Sequence, residues 1–151
     1  MNTQQDFKEL LVLLEKHSVD YMIVGGYAVA FHGHPRFTKD MDIFFSASTE
    51  NVAKIIPALI EFGFPAIDLN PEMFLSEGDM ITFGVAPVRV DFLNQIDGID
   101  YEDARPRRIR GKYSDTEVYF IGKEDLLRNK RSTKRTKDKA DAEELTNKTL
   151  R

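Results

Sequence analysis

The stretch that decides how this chain is read is IVGGYAVAFHGHPRFTKDMDIFF, Ile23–Phe45. Its opening apolar run, continued back to "YMIV", predicts a short buried strand stopped by Gly25-Gly26. "YAVAFHG" then reads as a short helix closed by Gly33, with Pro35 preventing its return. "MDIFF" is the next strand. Side chains alternate faces along a strand, so Asp40 and Asp42 point the same way with Cα atoms roughly 6.5–7 Å apart, while Met41 and Ile43 turn into the core. Two carboxylates held side by side raise each other's pKa unless a positive charge sits between them. The partner that suits hard oxygen ligands is a divalent cation, Mg2+ or Mn2+, completed by water and phosphate oxygens.

A third carboxylate is available further along. In "PVRVDFL", Asp91 interrupts a strand whose other members are mostly apolar. An acid in such a run is costly to bury unless it is paired or bound to metal. Asp40, Asp42 and Asp91 on adjacent strands would form a site for two ions about 3.5–4 Å apart, suited to in-line phosphoryl chemistry. Gly25 and Gly26 follow a strand and open a helix, where bare backbone N–H groups can receive phosphate. A double glycine alone is more often a plain turn, and an Asp-x-Asp alone is more often a surface strand. Their order along the chain carries the signal.

Working outward, Phe7, Leu10, Leu11, Leu13 and Leu14 recur at helical spacing and predict a helix over 3–17. Ser48 or Thr49 caps a helix ended by Gly63, with Pro57 as a potential kink. "MITFGV" and "VRVDFLNQI" form a hairpin across Ala86-Pro87, and "RRIRGKY" and "TEVYFI" a second across Ser114-Asp115. Gly122 opens a final helical region containing "KEDLLRNKR" and "TKDKADAEELTN". The pattern is α+β: a mixed sheet with helices packed behind it. It implies one domain over 1–151, with a core of about 20–121 and a C-terminal helical region of about 122–147.

Composition narrows the class. The 151 residues contain no cysteine, which excludes disulfides and thiolate metal sites. The first twenty residues have no basic n-region and an apolar pattern broken by charge, so neither a signal peptide nor a membrane span is expected; the expected location is the cytoplasm. Net charge is -4, but it is unevenly placed. Residues 1–104 hold 6 Lys and Arg against 17 Asp and Glu, whereas 105–139 hold 13 against 5. Either the basic half faces an anion or these are solvated surface charges. His32 and His34 bracket Gly33 without a third nitrogen or sulfur ligand nearby, so surface or substrate contact is expected of them rather than metal binding.

"VGGYAVAFHGHPRFTKDMDIFF" closely resembles the signature of the DNA polymerase beta-like nucleotidyltransferase superfamily: a hydrophobic residue, Gly and Gly or Ser, a spacer, then Asp-x-Asp. Its form is most similar to the small bacterial branch that includes AbiEii-type abortive-infection toxins and minimal nucleotidyltransferases. By that resemblance Gly25 and Gly26 face a triphosphate, Asp40 and Asp42 hold metal, and Asp91 supplies the third carboxylate. Arg36 and Thr38 match the branch's Arg-x-Thr approach to the aspartates. Whether Arg36 pairs with those acids or contacts nucleotide phosphate stays open. "KRTKDKAD" resembles a late Lys-x-Lys-Asp element, which carries over Lys137 and Asp138, with Lys130 upstream as a further match. Tyr27 departs from the pattern, since many relatives have serine there.

The resemblance implies an enzyme: metal-dependent transfer of a nucleoside monophosphate from a nucleoside triphosphate to a hydroxyl of RNA, a protein or a small molecule. Asp40, Asp42 and Asp91 would be catalytic and bind Mg2+ or Mn2+. Gly25, Gly26, Arg36, Thr38, Lys130 and Lys137 would bind nucleotide. Two other readings remain at this stage: a non-catalytic nucleotide- or partner-binding module of a toxin–antitoxin-like pair, and a nucleic-acid-binding protein using the basic back half. P-loop ATPase and protein kinase readings fail, because Gly-x4-Gly-Lys-Ser/Thr and His-Arg-Asp are absent.

Overall fold

The computed structural model describes residues 3–33, 38–85, 88–133, 140–143, 145 and 146. Arg36, Lys137 and Asp138 lie outside these residues, as do His34 and the Ala86-Pro87 turn. The chain begins with α1 (Thr3–Lys16), whose Phe7, Leu10, Leu11 and Leu14 are all buried. That is the face the spacing of its apolar residues dictates. β1 (Tyr21–Val24) runs straight into α2 (Gly25–Phe31), and β2 (Met41–Phe45) follows. α3 (Thr49–Phe62) is capped by the Ser48 hydroxyl, which accepts from the Asn51 amide at 3.0 Å. It ends at Gly63, whose φ of +128° suits glycine. The helix passes through Pro57 without a break.

α4 (Pro71–Leu75), β3 (Met80–Val85), β4 (Val88–Leu93) and α5 (Tyr101–Ala104) come next. The chain then forms β5 (Ile109–Tyr113), β6 (Thr116–Phe120) and α6 (Lys123–Ser132). Helical backbone recurs at 140–143 and 145–146. The six strands make one sheet in the order β3-β4-β2-β1-β6-β5. β1 pairs antiparallel with β2 and parallel with β6, and β2 pairs parallel with β4. The two expected hairpins, β3–β4 and β5–β6, form its antiparallel flanks.

Strand alternation then divides the sheet. One face carries Met41, Ile43, Phe45 and Phe92, with Phe74 of α4 packed edge-on against Phe45 and Phe92. The other face carries Asp42, Phe44, Asp91 and Thr82, with Phe44 meeting Tyr101 of α5. Every carboxylate of interest on β2 and β4 is therefore turned away from the aromatic layer.

The basic back half closes on the acidic front half. Arg105 and Arg108 both pair with Asp20, at 2.6 and 2.9 Å. Arg110 pairs with Glu15 at 2.7 Å, and Arg107 pairs with Asp125 at 2.9 Å and Asp103 at 3.2 Å. The guanidinium groups of Arg108 and Arg110 also lie over the Tyr119 ring. The arginines of 105–110 are thus committed within the protein.

Asn51 of α3 joins helix to sheet. Its side-chain oxygen accepts from the Asp20 amide at 2.7 Å, and its amide donates to the carbonyls of Asp20 at 2.9 Å and Ser46 at 2.8 Å. These backbone groups flank β1 and β2, and Asn51 is buried. Asn51→Leu is expected to destabilise the fold by about 1–3 kcal/mol, because it strands backbone donors and acceptors without water. Urea unfolding should show a lowered midpoint; an unchanged midpoint would mean that these groups find other partners.

Candidate active site

The site is assembled by register. Val24 sits opposite Asp42 across the β1–β2 pair, and Asp42 sits beside Asp91 across the parallel β2–β4 pair. Neighbouring strands lie about 4.8 Å apart, so the two carboxylates share one face at close range. The fifty-residue gap between them in sequence is closed by a strand pairing, which brings together what the sequence only allowed to be together.

Gly25 completes the near side. Its φ is +68°, and a Cβ built there would fall 2.1 Å from Oδ2 of Asp42. Both facts demand glycine: the backbone is left-handed, and the Asp42 carboxylate occupies the space a side chain would need. The expected turn ahead of a helix is instead the first residue of the helix itself. A Cβ on Gly26 would lie 2.7 Å from both Cγ2 and Oγ1 of Thr38. The Thr38 hydroxyl is buried and has no hydrogen-bond partner among the described residues.

Asp91 is 6% exposed and held by three donors. The Thr82 hydroxyl donates to its Oδ1 at 2.7 Å, Arg89 Nε donates to the same oxygen at 3.1 Å, and a terminal nitrogen of Arg89 reaches Oδ2 at 3.4 Å. Arg89 also lies 3.8 Å from Oδ2 of Asp40, whose side chain is 39% exposed. One guanidinium therefore bridges the first and third aspartates. Lys130 of α6 is buried, pairs with buried Asp141 at 3.7 Å, and sends its positive field to Asp42.

Asp42 bears the electrostatic cost. Burial first, and then the charges of Asp91 and Asp40, push it from the ordinary 3.8 up to about 7; Lys130 pulls the other way. Among the described residues, no three His, Asp or Glu side chains converge tightly enough to form a ready-made metal cage. Magnesium, however, commonly takes only one or two carboxylates and completes its shell with water and substrate phosphate. The hard oxygens of Asp42 and Asp91, the glycine cradle filled by Asp42 and the buried Thr38 hydroxyl fit that mode of binding.

The structure thus gathers Gly25, Gly26, Thr38, Asp40, Asp42, Asp91 and Lys130 around one end of the central strands. Three further residues around it were missed in the sequence. Arg89 and Thr82 hold Asp91, and the available signal was Arg89's position two residues before Asp91, on the same strand face. Tyr27 is the third. Its ring packs between Phe7 and Tyr113, and its hydroxyl donates to the Thr38 carbonyl at 3.1 Å, tethering the segment that leads to Asp40. His32 departs from expectation. Its Nε2 lies 2.6 Å from the Ile121 carbonyl and donates to it, so the ring anchors α2 to the end of β6.

A mixed sheet with a strand, a double glycine, a short helix and facing carboxylates on the next strands defines the nucleotidyltransferase fold. Solved structures share it. The chain matches a candidate nucleotidyltransferase from Thermotoga maritima with a TM-score of 0.62 at 13% identity, covering 97% of this chain and 91% of that one. It matches a lincosamide antibiotic adenylyltransferase, solved with lincomycin bound, with a TM-score of 0.54 at 20% identity, covering 94% and 95%. It also matches an antigenic nucleotidyltransferase-like protein from Paracoccidioides brasiliensis, with a TM-score of 0.53 at 17% identity, covering 93% and 73%. No curated protein sequence matches the chain. In sequence the chain belongs to a family described as nucleotidyltransferase of unknown function (DUF6036), which it matches over residues 2–149.

The raised Asp42 has a consequence for stability. Between about pH 4, where the unfolded chain releases this proton, and about 7, where the folded protein does, the folded state holds the extra proton. Stability therefore falls as pH rises through that window, and the loss is complete above it. Asp42→Asn removes the charge and is expected to stabilise the protein by about 1–3 kcal/mol near pH 8, with the gain vanishing near pH 4. Urea midpoints of both proteins across this range check it. A variant that is less stable near pH 8 would mean that Asp42 supports the fold rather than straining it.

Proposed function

We propose that the protein transfers a nucleoside monophosphate from a nucleoside triphosphate to a hydroxyl acceptor, with a divalent cation held between Asp42 and Asp91. The observation that carries this reading is the adjacency of those two carboxylates beside a glycine that admits no side chain. A structural role would favour a neutral residue at position 42, because the ionised pair is destabilising in the fold and gains its value from a cation.

In the proposed reaction the acceptor oxygen forms a bond to the α-phosphorus. The bond from that phosphorus to the bridging oxygen breaks, and pyrophosphate leaves with the electron pair. When bound, magnesium or manganese would neutralise the triphosphate and ease deprotonation of the acceptor hydroxyl. Asp42 and Asp91 supply its protein oxygens, with Asp40 at the exposed edge of the same face. Gly25 and Gly26 let triphosphate approach the backbone closely, and the Thr38 hydroxyl above Gly26 offers one more donor. Lys130 adds positive charge beside Asp42, where negative charge builds up as pyrophosphate departs. Arg36 and Lys137 are proposed as further phosphate contacts.

The internal pairing of the arginines of 105–110 favours this reading over general nucleic-acid binding, since those charges already have partners. Calorimetry with each of the four ribonucleoside triphosphates, with magnesium and then with chelator, tests the proposal. Binding of at least one triphosphate that disappears on chelation is expected. Asp91→Asn should abolish that binding and any transfer of label from an α-labelled triphosphate. Equal affinity with and without chelator would overturn the metal-dependent reading.

A further inference from the structure

We propose that Thr82 is a positioning residue for the reaction: its hydroxyl fixes the Asp91 carboxylate so that Oδ2 is the oxygen offered to a cation shared with Asp42. The inference rests on the functional reading above and deepens it.

Three observations carry it. First, Thr82 and Asp91 are direct partners in the antiparallel β3–β4 register, while Asp91 and Asp42 are direct partners in the parallel β2–β4 register. Asp91 thus lies between a hydroxyl on one side and a carboxylate on the other, all on one sheet face. Second, the Thr82 hydroxyl bond to Oδ1 is the shortest contact of Asp91 with a donor among the described residues, at 2.7 Å, whereas the Arg89 contact to Oδ2 is longer, at 3.4 Å. Two donors, Thr82 and Arg89 Nε, converge on Oδ1 and set the plane of the group. Third, Thr82 is an exposed residue on an edge strand, yet its hydroxyl is turned inward to the acid.

The two holders differ in kind. Arg89 is a cation that spans Asp91 and Asp40, so a metal ion arriving at these carboxylates competes with it for the same oxygens. Thr82 is neutral. It can keep its bond to Oδ1 while Oδ2 takes on a metal, and it stops the carboxylate from rotating when Arg89 yields. Hydrogen bonds of this sort to metal-ligating carboxylates commonly govern affinity by 10–100-fold, although the donor never touches the ion.

The test compares wild type with Thr82→Val and Thr82→Ser. Valine keeps the shape and β-branching of threonine and removes only the hydroxyl; serine keeps the hydroxyl. Mn2+ alone is titrated into each protein by electron paramagnetic resonance, and urea unfolding is measured on the metal-free proteins. The expected result is that Thr82→Val weakens Mn2+ binding by about tenfold or more while its urea midpoint stays near that of wild type. Thr82→Ser should bind nearly as wild type does. Wild-type affinity in Thr82→Val overturns the inference and leaves the functional reading standing. A loss in both variants, or one matched by a lowered urea midpoint, also overturns it, because it assigns Thr82 a purely structural role. Absence of saturable Mn2+ binding by wild type overturns the functional reading, and this inference with it.

Discussion

Two like charges side by side, Asp42 and Asp91, are the constraint around which the rest of the site is arranged. A parallel pairing of β2 and β4 in any other register would separate them. In the observed register they are direct neighbours on one face, and burial makes their repulsion expensive. The cations and Gly25 moderate that cost, and Thr82 orients Asp91. Arg89 spans Asp91 and Asp40, Lys130 acts on Asp42 from α6, and Thr82 holds Asp91 from the edge strand. Gly25 gives Asp42 room by having no side chain. A fold selected for stability alone would remove one acid; this one surrounds both with support, as sites that trade stability for function do.

Much of the central architecture was legible in the sequence because it is local. The β1–α2–β2 order follows from an apolar run, two glycines and an alternating strand, and both hairpins follow from turn signals between β-rich runs. The caps of α3 at Ser48 and Gly63 were equally readable. The still shorter α4 and α5 were not. α4 and α5 carry too few residues for a 3.6-residue period to register, and they are set by the Asn70 and Asp100 side-chain caps and by packing of Phe74 and Tyr101. α3 continues through Pro57 as one helix.

The site was legible as a set of residue types and illegible as a geometry. Asp40 and Asp42 declare themselves by spacing, and Asp91 by being an acid in an apolar strand. Nothing in the sequence fixes the pairing of β2 with β4, since such parallel contacts depend on the whole sheet. Thr82 and Arg89 were missed because their value appears only once Asp91 is placed at the site, although Arg89 stands two residues before it and Thr82 faces it across the β3–β4 hairpin. The charge asymmetry shows a related limit. A basic segment after an acidic one left an external anion and solvated surface charge both open, whereas the arginines of 105–110 find Glu15, Asp20, Asp103 and Asp125 within the chain.

Tyr27 links the two levels. It replaces the serine common among the proteins this signature resembles, and its hydroxyl binds the Thr38 carbonyl, with the Thr38 hydroxyl lying over Gly26. The fold and the site thus meet at one aromatic side chain. The central claim, that the Asp42–Asp91 pair exists to share a cation, is tested most directly by anomalous diffraction from crystals grown with Mn2+. The expected result is a manganese peak between Asp42 and Asp91, with Thr82 still on Oδ1 of Asp91. A manganese peak elsewhere, or none between these carboxylates, would contradict it.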